Sequence, residues 1–186
     1  MALSPEVLSA NREVAAWLQT FDVSLEPDEE PSDWFSIDGI EKPRQIGSDE
    51  AGGTFVLLPS QNVLYVSSEG RAGIIAGGFE EFVQLVAACP YWLDVLKFSS
   101  GGDLAEMRRA AIALEATLDD EDDINDAREA IHGILDLSEP EDPVGALYDA
   151  VAASDVIVRA TDGSPFTTLF NRFSVDSNPM LSDAAA

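Results

Sequence analysis

Between Ile46 and Val86 the apolar residues fall into short runs, Thr54–Leu58, Val63–Val66 and Ala72–Ala76, with Gly, Pro, Asn or Ser in the segments between them. Phe79, Phe82, Val83 and Val86 follow at helical spacing. Runs of this length separated by turn residues predict an antiparallel meander, and the three-and-four spacing predicts a helix laid across it. Glu80 and Glu81 then fall in the first turn of that helix, where its dipole favours acids. The pair Gly52-Gly53 before the first run implies a positive φ or a close backbone approach.

The flanks add helices. Ser4 caps, Pro5 suits the first helical position, and Val7, Val14, Trp17, Leu18 and Phe21 form a stripe, predicting one helix to about Thr20. An acidic, proline-bearing loop then reaches Ser32, and Trp34–Ile37 reads as an edge strand or an apolar plug. Pro43 cannot donate to a ladder, so Arg44–Ile46 should enter the sheet from an edge or loop. Past Lys97, Asp103 caps a helix through Leu114, a second helix covers Ile124–Leu135, and Asp142-Pro143 starts a third. Val156–Val158 predicts a strand. Phe166, Leu169, Phe170 and Phe173 predict a docking segment, with one helical turn as an option. The expected architecture is α+β, a twisted and mostly antiparallel sheet packed against several helices. It forms one domain over 1–175 with a helical C-terminal extension at about 99–155, and 176–186 is expected to be a disordered tail.

Charge changes the picture most. Ten Lys and Arg against 35 Asp and Glu leave a net charge of −25. Such a field repels nucleic acid and anionic lipid, and it speeds encounter with a basic partner. The alternative is that the acidity serves solubility. The apolar runs are too short for a membrane helix, the N-terminal residues do not read as a secretory signal, and a single cysteine gives no internal disulfide. A cytoplasmic protein that engages neither membrane nor nucleic acid is the expectation.

Catalytic and cofactor signals are weak. The Gly52-Gly53 turn leads into a strand and is flanked by acids, unlike a phosphate loop, which opens a helix. Asp119–Asp123 lacks the alternation and the glycine of a calcium loop, so it reads as a charged turn. Cys89 has no neighbouring base, and His132 has no Ser or Cys partner. No catalytic residue, cofactor or metal is assigned.

The segment Ile46-Gly47-Ser48-Asp49-Glu50-Ala51-Gly52-Gly53 has an aliphatic-Gly-x-Asp-x-x-Gly pattern, and Ala76-Gly77-Gly78-Phe79-Glu80-Glu81-Phe82-Val83 has an Ala-x-x-Phe-x-x-Phe-aliphatic one. With the strands between them, these resemble the SUKH superfamily, which joins the fungal Smi/Knr cell-wall regulators, the bacterial Syd-like proteins and many toxin-immunity proteins. The acid common after the second glycine is replaced by Gly53-Thr54, and the Leu-Pro-x-x-Tyr element near the start is absent. The resemblance implies an α+β fold and binding without catalysis.

Two functions remain open at this point. One is an immunity-type protein whose acidic face blocks a cognate basic toxin, a nuclease among the candidates. Its contacts would be the acids Asp28, Glu29, Glu30, Asp49 and Glu50, with Trp34 and Tyr91 as aromatic anchors unless those two are ordinary core. The other is an intracellular scaffold or regulator of the Smi/Knr type.

Overall fold

The computed structural model describes residues 3–27, 32–117 and 122–184. Helices α1 (Pro5–Ala10) and α2 (Arg12–Thr20) lead to strands β1 (Ser24–Leu25), β2 (Phe35–Ile37), β3 (Arg44–Ser48), β4 (Thr54–Leu57), β5 (Val63–Ser67) and β6 (Arg71–Ala76). Helices α3 (Phe79–Ala88), α4 (Trp92–Lys97), α5 (Leu104–Thr117), α6 (Asp122–Leu135) and α7 (Pro143–Ala152) follow. Strand β7 (Val158–Ala160), a 3-10 turn (Val175–Ser177) and helix α8 (Pro179–Ala184) end the described chain.

The predicted meander is present. An antiparallel sheet runs in the order β1-β3-β4-β5-β6, and β2 pairs with β7 in a second, two-stranded sheet. The fold is therefore α+β, as expected. Because side chains alternate across a strand, neighbouring residues of the larger sheet serve different cores. Ile46, Phe55, Leu57, Val63, Tyr65 and Ile75 pack with the helices, while Val56, Leu58, Leu64, Val66 and Ile74 pack with Phe35, Ile37 and Val158 of the small sheet. Burial on both faces explains why Phe55–Leu58 and Val63–Val66 are unbroken apolar runs and not alternating ones. Trp34–Ile37 is thus the strand option and not the plug, and it supplies that second cover.

Several local expectations change. The first helix is broken at Asn11, whose backbone is extended and whose side chain accepts hydrogen bonds from the Glu13 and Val14 N–H groups. An Asn side chain competes for nearby backbone donors, so it caps a new helix here and does not continue the old one. Strand β3 begins just after Pro43 yet lies inside the sheet, between β1 and β4. The missing N–H of Pro43 falls outside the ladder, so nothing is lost. Of Val156–Val158 only Val158 joins a strand, opposite Ile37, and Ile157 is exposed.

The docking segment is extended, not helical. The Thr167 N–H donates to the Gly70 carbonyl, and the Ala72 N–H donates to the Thr167 carbonyl, which covers part of the outer edge of β6. Leu169 is buried, while Phe173 stays half exposed. The tail expected to be disordered from 176 carries the end of the 3-10 turn and all of α8. Val175 and Leu181 pack on Phe98, Ala110 and Ala113, so two apolar side chains in a polar stretch find a seat on α5 that local composition does not reveal.

Candidate functional site

The turn that the glycines opened can be built residue by residue. Gly52 has φ +82°, and a Cβ at Gly53 would sit 2.3 Å from the Tyr65 hydroxyl oxygen, so both readings of the pair hold. That close approach brings Tyr65 to Asp49. The Tyr65 hydroxyl donates to Asp49 Oδ2 at 2.5 Å, and the Gly53 N–H donates to Oδ1 at 2.7 Å. Asp49 is 8% exposed. Its carboxylate therefore closes the turn from within, and it does not present a charge to a partner.

Its neighbour does. Glu50 is exposed, and its N–H donates to Asp22 Oδ1 at 2.8 Å. Partial burial, followed by the charges of Asp49 and Glu50, pushes the Asp22 carboxyl above its ordinary range, against the pull of that N–H. Asp28, Glu29 and Glu30 lie outside the described residues. Trp34 is half-buried, edge-on to Phe35 at 4.8 Å and 6.0 Å from Phe166, so it packs the small sheet. Tyr91 is half-buried too. Burial first, then a hydrogen bond to Glu115, raises its hydroxyl well above the usual tyrosine range. Glu115 also takes the guanidinium fork of Arg128 at 2.6 and 2.9 Å, and Arg128 reaches the Ala87 carbonyl at 3.2 Å, tying α3, α5 and α6 together. The four described candidates, Trp34, Asp49, Glu50 and Tyr91, are thus not brought into one patch. Asp49, Trp34 and Tyr91 hold the fold, and Glu50 faces solvent.

Groups with catalytic potential are placed as follows. Cys89 is buried, and that burial pushes its thiol far above the ordinary value. His132 is half-buried with Nδ1 3.2 Å from the Leu137 carbonyl. Among the described residues no group of three or more His, Cys, Asp or Glu is arranged to hold a metal.

The basic residues follow a clear pattern. Arg44 pairs with Glu6, Lys97 with Asp94, Arg108 with Asp142, Arg109 with Glu106 and Asp176, Arg128 with Glu115, and Arg159 with Asp38. Arg71 donates to the carbonyls of Thr168 and Phe170. Seven of the ten basic residues are therefore engaged inside the chain, most of them joining segments far apart in sequence. Acids outnumber basic residues more than threefold, and most acids among the described residues are exposed and outside any ion pair. Stability is accordingly expected to rise with salt. Screening weakens the exposed pairs, which contribute little, but it weakens the larger self-repulsion more. Melting curves between about 0.01 and 0.5 M NaCl, where the screening length falls several-fold, test this; a falling midpoint would contradict it.

Two recesses were not foreseen. One, about 370 Å³, lies between the β5–β6 turn, α4 and the docking segment, and includes Arg71 and Lys97. Both cations are already engaged, and Glu69 and Asp94 line it as well. The other, about 280 Å³, lies between α3, the end of β6 and α7. Its residues Leu85 and Leu147 look in sequence like any other core positions, because only the packing of α7 beside α3 leaves a gap above them. Comparison with protein-family models, curated proteins and solved structures found no match.

Proposed function

We propose that this chain is a non-catalytic protein-binding module, an immunity protein of the SUKH type that neutralises a cognate toxin through its acidic surface. The observation that carries the reading is the placement of charge. Most of the basic residues are engaged within the fold, which leaves a strongly anionic exterior. Such an exterior steers a cationic protein toward it and can cover a groove where phosphate would bind. Support comes also from the meander closed by α3, which carries the glycine turn and the Phe79-Phe82-Val83 element of the resemblance.

Binding would be stoichiometric. Exposed acids such as Glu50, with Asp28, Glu29 and Glu30 as further candidates, would supply long-range attraction. The buried Asp49 would only hold in shape the turn that carries Glu50. The test is affinity capture from the native host with the captured protein identified, followed by association kinetics against salt. The expected result is a basic toxin domain whose association rate falls steeply between about 0.05 and 0.5 M NaCl. Capture of no toxin, or a rate indifferent to salt, would sink the idea.

A further inference from the structure

The groove between α3, β6 and α7 is lined mostly by apolar residues. Its floor is Ile75, Leu85 and Leu147, and its far wall is Pro140, Pro143 and Ala146. None of its lining residues is basic. Exposed acids stand around it in the chain: Glu80 and Glu81 open α3, Glu139 and Glu141 flank Pro140, and Asp149 precedes Ala150. Among the described residues none of these five acids makes an ion pair.

Hydrogen bonds tie the walls to one another. Gln84 Nε2 donates to the Ser138 carbonyl and hydroxyl at 3.2 Å, holding the connector against α3. Glu81 Oε2 accepts from the Gly77 N–H at 2.9 Å. Asp142 caps α7 through the Gly145 N–H and is itself held by Arg108. An apolar slot kept open by such bonds needs little reorganisation to accept a side chain. At about 280 Å³ it falls just below the range of small-molecule pockets, about 300–1,000 Å³, and suits one or two inserted side chains.

We propose that this groove is the anchoring site for the protein partner, taking a short segment whose apolar side chains are flanked by lysines or arginines. This rests on the protein-binding reading and gives that reading a location. The apolar side chains would fill the slot as a central anchor, and the flanking cations would meet the acids at its rim. A second copy of this chain is disfavoured as the occupant because two chains of −25 charge each repel one another.

The experiment uses the whole chain and a set of labelled peptides with a Leu-Phe or a Ser-Ser centre, flanked by lysines or by glutamates. Affinities come from fluorescence anisotropy, and the site comes from amide chemical shifts. The lysine-flanked Leu-Phe peptide should bind best, with shifts centred on Leu85, Ala146 and Leu147. Ala146→Arg should weaken it about tenfold or more. Ala146 is exposed, so the variant should keep the parent melting point, and Ala146→Gln adds bulk without charge as a second check. Equal binding of the Ser-Ser peptide with lysine flanks, unaffected by Ala146→Arg, would overturn the groove while leaving an acidic binding surface intact. Equal binding of the glutamate-flanked peptide would overturn the assigned partner chemistry. Absence of binding, or a concentration-dependent dimer that Ala146→Arg abolishes, would overturn the proposal. Failure to capture a toxin, with the peptide pattern as expected, would count against immunity and not against the groove.

Discussion

Phe82→Ala is expected to destabilise the protein by about 3–5 kcal/mol, the range for deleting a buried aromatic ring. Phe82 is fully buried on α3, with its ring 5.0 Å from Phe55 and 6.1 Å from Phe79. Phe55 in turn lies 5.3 Å from Tyr65 and 6.3 Å from Trp92, and Trp92 stands edge-on to Tyr65 at 5.0 Å. The ring therefore joins α3 and, through Phe55 and Trp92, α4 to the middle of the sheet. Its removal leaves a void that rigid aromatic neighbours fill poorly, which places the cost toward the top of the range. Domains of this kind are stable by about 5–15 kcal/mol, so a third or more of the total is at stake. Urea denaturation monitored by tryptophan fluorescence gives the number, and a loss below about 1 kcal/mol would show that the cluster collapses around the gap.

The second large effect is at Asp49. Asp49→Ala leaves the Gly53 N–H and the Tyr65 hydroxyl without their acceptor in a buried turn. Each lost bond to a charged acceptor is worth roughly 1.5–3 kcal/mol, so a combined cost of about 3–6 kcal/mol is expected. Tyr65→Phe should cost less, and the two changes together should cost less than their sum, because they share one bond.

Alkaline pH provides a further check. Burial first, then the hydrogen bond to Asp49, raises the Tyr65 hydroxyl far above the ordinary value of 10.0. A group raised in the folded state contributes fully below its unfolded pKa, and that contribution is lost as pH climbs above it. Stability should therefore fall above pH 10, less steeply in Tyr65→Phe, with Tyr91 adding a share of the same sign. A slope unchanged by Tyr65→Phe would argue against the buried contact. Under conditions where the variant folds, Glu50→Ala should slow association with the proposed basic partner.

Much of the scaffold was legible before the structure. Asp103 and Asp142 cap helices as their positions suggested, and Ser4 does the same. The helix from Phe79 buries the face its spacing marked. The candidate site was legible in part only. Asp49 and Glu50 look alike as adjacent acids, and nothing near them in the chain tells which one turns inward. That choice is made by Tyr65, which comes from another strand sixteen residues away. Trp34 and Tyr91 show the same limit, since an exposed anchor and a packed aromatic have the same local signature.

The sequence by itself determined the elements whose causes are local: the meander in its apolar runs, α3 in its period, the helix starts in their caps and the −25 charge in composition. The tertiary structure alone decided which face each element shares. It placed the small β2–β7 sheet on one side of the meander and the helices on the other, seated α8 on α5, and turned the Asp49 carboxylate inward. It also opened the groove, because β6 and α3, at residues 75–85, meet α7 and its connector, at 140–150, only after the chain has passed through α4, α5 and α6. Periodicity and capping act within a few residues, whereas burial and shape depend on partners that the chain brings in from far away.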